Sequence, residues 1–147
     1  MSNDVHIRWM IRRDMPAVLE IESLSFEFPC SEEEMITMLR QRNTIGMVSE
    51  VDGQVVGFMI YDLLPNRLHL NTIAVHPSHR RYGVGRAMVE KLIYKLSFQR
   101  RNRIILEVRE TNLIAQKFLR SLGFIAVETD EDAYVMRYAM RELEECR

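Results

Sequence analysis

One mixed α/β domain is the fold this sequence predicts, and three features predict it. Asp52-Gly53 stands between two apolar runs, Met47 to Val51 and Val55 to Tyr61. That pair is a strong hairpin signal, because both of its residues tolerate positive φ. A buried-strand pattern, Ile73-Ala74-Val75, passes through His76-Pro77 into a basic glycine loop. The loop opens a helix with Val84, Met88, Leu92 and Leu96 at four-residue spacing, Val89 and Ile93 beside them. Strand and helix patterns follow one another along all 147 residues with no repeat, linker or low-complexity segment. The order reads β-α-α-β-β-β-α-β-α-β-β, and the whole of 1–147 reads as one domain.

Taken in order, Val5, Ile7 and Trp9 alternate against His6 and Arg8, the period of a strand. Asp14 is placed to cap a helix with Pro16 in its first turn and Val18, Ile21 and Leu24 along one side. Phe26 to Pro29 breaks the pattern. Ser31 and Glu34 form a capping-box motif ahead of Met35, Met38 and Leu39, giving a second helix to about Gln41. After the Asp52-Gly53 hairpin, Pro65-Asn66 marks a turn and Leu68 to Val75 a third consecutive antiparallel strand. Arg103 to Arg109, rich in β-branched and aliphatic residues, is the next strand. Asn112 caps a short helix bearing Ala115, Phe118, Leu119 and Leu122, and Gly123 stands where a left-handed C-terminal residue is wanted. Two last strands, Phe124 to Val127 and Ala133 to Met140, flank an acidic turn, Glu128 to Asp132. The charged tail 141–147 is expected to fray.

Composition narrows the partners. Hydrophobic residues are 47% and charged residues 28%, ordinary for a soluble globular chain with a real core. A formal net charge of −1 gives no general attraction to nucleic acid or membranes. Cys30 and Cys146 have no CxxC spacing and no Cys/His metal pattern, so reduced thiols, no metal and a cytoplasmic setting are expected. No apolar run approaches the ~20 residues of a membrane span, and the first residues lack a secretory apolar segment.

The glycine loop is the chemically distinctive stretch. Backbone N–H groups at a helix start have no intrahelical partner, and the helix macrodipole makes that end partly positive. Gly83 and Gly85 let a phosphate approach the backbone, and Arg80, Arg81 and Arg86 add charge around it. Two familiar phosphate loops are excluded. A dinucleotide fingerprint needs a third glycine where Met88 stands, and a P-loop needs Gly-Lys-Ser/Thr.

What remains, Arg80-x-x-Gly83-x-Gly85 between strand and helix, resembles the signature of the GNAT N-acetyltransferases. The run Leu106-Glu107-Val108-Arg109-Glu110-Thr111-Asn112, with Ala115 and Leu122-Gly123-Phe124, is similar to that of the ribosomal-protein-alanine N-acetyltransferases. Phe28-Pro29-Cys30-Ser31, with Cys30 for the group's tryptophan, and Glu131-Asp132-Ala133 with Met136 are similar too. The resemblance runs from Val5 to Met140. It implies a single mixed, mostly antiparallel sheet flanked by helices, the acyl-CoA N-acyltransferase fold. It also implies transfer of acetyl from acetyl-CoA to an amine, a protein's terminal α-amine in that group. By the same resemblance Ile73, Ala74 and Val75 pair with the pantetheine arm. Arg81, Tyr82, Gly83, Val84, Gly85 and Arg86 hold the pyrophosphate, Asn112 contacts the CoA arm, and Glu107 is the general base, acting through water.

Several alternatives stay open at this stage. Glu107 shares a strand face with Ile105 and Arg109, so a surface carboxylate paired with Arg109 or Arg103 is its other reading. Asn112 is explained as a cap even without a ligand. His69 is a second candidate base or a structural histidine. Arg100, Arg101 and Arg103 make a solvated face or a docking patch for a ribosome-bound substrate. The group's acid, a tyrosine seven residues after the cap asparagine, is here Leu119. Water, Tyr134 or no acid at all takes its place; a thiol with pKa of roughly 8.5 leaves tolerably without one. The segment before Glu131 is shorter than in that group, which leaves the acceptor site more open or reflects a missing loop. A small amine such as a polyamine or aminoglycoside is an alternative acceptor. A non-catalytic acyl-CoA-binding module is an alternative class. Oligomeric state is not readable.

Overall fold

The computed structural model describes residues 4–97 and 99–140; the tail 141–147, expected to fray, lies outside the described residues. The chain forms β1 (His6–Trp9), α1 (Met15–Ser25), α2 (Glu32–Leu39), β2 (Thr44–Val51), β3 (Gln54–Leu63) and β4 (Leu68–Val75). It continues with α3 (Val84–Tyr94), β5 (Arg103–Arg109), α4 (Leu113–Ser121), β6 (Ile125–Asp130) and β7 (Ala133–Ala139). The seven strands make one sheet in the order β1-β2-β3-β4-β5-β7-β6. Every neighbouring pair is antiparallel except β4 and β5. This is the expected element order and the expected mostly antiparallel mixed sheet.

Local chemistry accounts for the elements. Asp52 and Gly53 have φ of 52° and 80°, as the tight β2–β3 turn demands. Ser31 Oγ accepts the Glu34 N–H at 3.1 Å while the Ser31 N–H donates to Glu34 Oε1 at 2.9 Å, completing the capping box of α2. Gly123, at φ 99°, ends α4. The central strand β3 is buried on both faces, so it reads as a continuous apolar run rather than an alternation. One face carries Met59, Leu70, Ile104, Leu106 and Met136 in a cluster with Met88 and Leu92 of α3 and Leu119 of α4. The other carries Val48, Phe58, Ile60 and Ala74 with Val18 and Ile21 of α1 and Met35 of α2.

Two local expectations change. Asp14 does stand just before α1, but its carboxylate caps nothing there. It accepts the Ile11 N–H at 2.8 Å and both Arg8 guanidinium nitrogens at 2.8 and 2.9 Å, and Arg8 also reaches Glu50 at 3.0 Å. Asp14 is buried, so it needs a cation and a full set of donors, which a first-turn N–H alone cannot supply. The last hairpin also differs. Glu128, Thr129 and Asp130 belong to β6, and the turn is only Glu131-Asp132, with Glu131 at φ 53°. All of β6 is exposed at the sheet edge, so its acidic side chains stay hydrated while the backbone pairs with β7.

The Arg8 hydrogen bonds hold the Asp14 carboxyl below the usual carboxylate range, outweighing the opposing effect of burial. A depressed folded pKa contributes stability above the unfolded value of ~3.9, and that stability is lost as pH falls through the folded value. Arg8→Met is expected to cost about 2–4 kcal/mol at pH 7, because it strands a buried carboxylate. In urea unfolding, the gap between wild type and variant should narrow as the pH is lowered below 4.

Candidate active site

The sheet forks at its one parallel junction. β4 and β5 pair only at Leu68↔Ile104 and His69↔Ile105. Beyond those pairs β4 stays with β3 as far as Val75↔Gly57, and β5 stays with β7 as far as Arg109↔Ala133. The β3–β4 ladder steps from Tyr61↔Leu70 to Ile60↔Thr72, which leaves Asn71 as an extra, bulged residue. A bulge bends its strand, and this one sits where β4 departs from β5. Both strands run toward the fork's open end, and each is followed by a helix N-terminus. Open sheets bind ligands at such carboxyl ends.

A groove of about 850 Å³ occupies the open end. It is lined by Ile73, Ala74 and Val75 of β4, by Arg81, Gly83, Val84, Gly85 and Arg86 of the loop and α3, and by Asn112 ahead of α4. Of the expected donor contacts, Tyr82 alone lies outside it. Its ring is 58% exposed and tilts against His79 with centroids 5.9 Å apart.

The loop is shaped by two left-handed residues, Arg81 at φ 75° and Gly83 at φ 80°. Arginine pays strain for that conformation, and such strain collects at functional sites. Gly83 precedes α3 and provides no side-chain cap, so the first-turn N–H groups stay available to an anion. A Cβ on Gly85 would meet Phe118 at 3.5 Å and Val75 at 3.8 Å, ordinary contacts. Packing therefore does not require glycine at 85. Asn112 Oδ1 accepts the Ala115 N–H at 3.1 Å. The cap uses the amide oxygen, and the NH₂ end remains as a donor beside the groove.

Arg80, expected to add charge around the loop, is a brace: its Nε donates to the Val75 carbonyl at 2.9 Å and its Nη2 to Ser25 Oγ at 3.2 Å. Sequence reasoning passed over other walls of the groove: Phe26, Ile114 and Phe118 supply apolar surface. The Ile114–Phe118 spacing was the available signal, but it also fits a core-facing helix stripe. Arg86 is steadied by Ser121 Oγ at 3.3 Å and Glu90 at 3.8 Å.

Glu107 and Tyr134 do not line the groove. They lie on opposite faces of the sheet, Glu107 on β5 and Tyr134 on β7. Ile104, Leu106 and Val108 turn into the α3/α4 side, so Glu107 points to the other side and is exposed. Arg109 reaches Asp132 at 3.8 Å and Arg103 donates to Asn102 at 3.1 Å, so neither expected arginine pairs with Glu107. Tyr134 is opposite Val108 and packs against the α3/α4 cluster. Leu119 is 3% exposed within that cluster. Among the described residues, no group of three or more His, Cys, Asp or Glu is placed to hold a metal ion. No helix there is long and apolar enough to cross a membrane.

The forked sheet with an uncapped helix start at its open end is the setting in which the family stands: the chain belongs to the acetyltransferase (GNAT) family, whose model matches residues 15–124. It is an acetyl-CoA-dependent N-acetyltransferase. It is 33% identical over 111 residues to the [ribosomal protein bS18]-alanine N-acetyltransferase of Escherichia coli, covering 76% of this chain and 74% of that protein. An uncharacterised N-acetyltransferase of Methanocaldococcus jannaschii is 30% identical over 119 residues, 80% of this chain and 76% of that one. The crystal structure of the ribosomal-protein-S18-alanine N-acetyltransferase from Escherichia coli superimposes with a TM-score of 0.83 at 27% identity, over 95% of this chain and 96% of that one.

Gly85→Ala separates ligand approach from packing: the variant is expected to match wild type in thermal stability while KM for acetyl-CoA rises about 10-fold or more, near 1.4 kcal/mol. Asn112→Asp keeps a capping oxygen and removes the donor. Its melting temperature should hold while CoA affinity, measured by calorimetry, falls several-fold.

Proposed function

We propose that this enzyme acetylates the α-amine of a protein N-terminus, such as that of a ribosomal protein, in the cytoplasm, with Glu107 as the general base. The observation that carries the reading is the arrangement at the fork. The donor groove lies at the open end between the end of α1 and the starts of α3 and α4, and Glu107 stands exposed on β5, on the face away from α3 and α4. An amine arriving from the Glu107 side loses its proton to that carboxylate, directly or through water. Its nitrogen bonds to the acetyl carbon, the C–S bond breaks, and the thiolate leaves on the groove side. Tyr134, on the α3/α4 side of the sheet, is the proton source this reading assigns to the thiolate, Leu119 standing where the related group has a tyrosine; solvent is the other source. The likeness to the alanine N-acetyltransferases supports a protein acceptor.

A small amine is the second reading, favoured by one observation. The β6–β7 hairpin closes at Glu131-Asp132 with pairing as far as Asp130↔Ala133, so no longer segment roofs the acceptor face.

Incubation with acetyl-CoA and a panel of ribosomal N-terminal peptides, polyamines and aminoglycosides, read by mass, separates the two. Gain of one acetyl on a peptide α-amine is expected. Acetylation of the small amines alone would overturn the protein-acceptor reading. Glu107→Gln should lower kcat by ~100-fold or more with little change in KM for acetyl-CoA. If solvent supplies the proton, Tyr134→Phe keeps most of kcat; a loss of ~100-fold assigns that role to Tyr134.

A further inference from the structure

We infer that Arg137 selects the acceptor of this transferase: its guanidinium takes a carboxylate on the second or third residue of a peptide whose α-amine stands at Glu107. The inference rests on the reading of Glu107 as the residue that meets the acceptor's amine. It narrows the acceptor's class to an acidic N-terminus.

Strand alternation sets the direction. Tyr134, Met136 and Tyr138 of β7 pack into the cluster beneath α3 and α4. Val135, Arg137 and Ala139 therefore turn to the other face of the sheet, the face of Glu107. On that face α1 and α2 pack over β2, β3 and β4, and their apolar cluster includes no residue of β5 or β7. Glu107 pairs with Val135, and Ile105 with Arg137. Arg137 is thus the diagonal neighbour of Glu107, with Cα atoms roughly 7–8 Å apart. Arg103 lies two residues before Ile105 on the same face, opposite Ala139. Glu107, Arg137 and Arg103 form a strip that runs away from the open end of the fork.

Arg137 is half-buried, and its Nε is shut off from solvent with no hydrogen-bond partner among the described residues. Its cross-strand neighbours, Ile105 on one side and Ile125 on the other, flank the apolar stem. The carboxylates nearest in register are Glu107 and Glu128, both on residues opposite Val135. Neither pairs with Arg137. The ion pairs among the described residues join Arg8 to Asp14 and Glu50, His76 to Glu20, Arg86 to Glu90 and Arg109 to Asp132. Arg103 Nη1 donates to Asn102 Oδ1 at 3.1 Å, which leaves its charge without a counterion there. A buried donor without a partner is costly and rare in native chains. A carboxylate arriving at the guanidinium supplies the acceptor that the neighbouring strands do not.

The spacing defines the ligand. An extended peptide advances about 3.3 Å per residue, so its second and third residues lie ~3–7 Å from the terminal amine. With the amine at Glu107, an acidic side chain on either residue comes within reach of a guanidinium one diagonal away. A free amino acid holds its carboxylate too close to its amine to span the two. A polyamine or an aminoglycoside repeats ammonium groups along its length, and the second one meets Arg137 with like charge. The strip therefore favours an acidic peptide by attraction and rejects a polycation by repulsion. Arg137 orients the acceptor and adds no covalent step.

Matched peptides test this, each beginning with alanine and carrying Glu, Gln or Lys at the second residue or at the third. Their binding to the CoA-loaded enzyme, measured by calorimetry, needs no turnover. At one of the two positions the Glu peptide is expected to bind about 10-fold tighter than its Gln twin, the yield of one charge-assisted contact. The Lys peptide should bind more weakly than either. No preference for Glu over Gln at either position overturns the proposal. Arg137→Gln should abolish the preference and Arg137→Glu turn it toward the Lys peptide, with melting temperature and CoA affinity showing that each variant is folded. A preference that survives both substitutions overturns the role of Arg137. If none of the peptides is acetylated when acetyl-CoA replaces CoA, the protein-acceptor reading fails by itself, and the binding comparison still decides this one.

Discussion

Two residue pairs, Leu68↔Ile104 and His69↔Ile105, join the two halves of the sheet, and the site depends on that junction stopping where it does. A fully zipped β4–β5 ladder would close the gap that separates the groove from Glu107. A missing ladder would let the halves drift and lose the spacing between them. The junction is short for local reasons. The Asn71 bulge bends β4 away, while β7 holds β5 along its whole length, so β5 does not follow. Strand ends that diverge expose backbone N–H and C=O groups, which is costly unless something pairs with them. An extended amide-bearing arm such as pantetheine is suited to do so.

Arg80 extends this logic to the rim. By holding the Val75 carbonyl and Ser25 together, it ties the end of β4 to the end of α1, the helix packed on it. The left-handed Arg81 follows immediately. A fixed residue just before a strained one lets the strain persist, since the chain cannot relax by sliding back along β4. The shape of the loop thus rests on its covalent neighbours and one guanidinium.

Much of this was legible in the sequence because it is local. The Asp52-Gly53 turn, the Ser31/Glu34 box, the Asn112 cap and the Arg80-x-x-Gly83-x-Gly85 loop act within a few residues, and each behaves as its chemistry dictates. What was not legible is nonlocal. The partner that draws the Asp14 carboxylate off its capping role is a guanidinium on β1, six residues upstream and across the sheet edge. The extent of β6 depended on β7 accepting Glu128 to Asp130 as edge residues. The fork itself depends on register, which no single strand's pattern contains. Tyr82 was grouped with the loop by resemblance, and its side chain lies outside the groove, tilted against His79.

The turn at Glu131-Asp132 is tied into the site's frame. The Asp132 carbonyl accepts the Glu110 N–H at 2.8 Å, and Glu110 lies between the end of β5 and the Asn112 cap. The same turn is exposed and ends a paired ladder. Lengthening a surface turn costs little, each doubling adding only about 0.6 kcal/mol. Length at this tip is therefore cheap in entropy but bound to the frame: an insertion between Asp130 and Ala133 keeps the end of β5 in place only if a carbonyl still meets the Glu110 N–H.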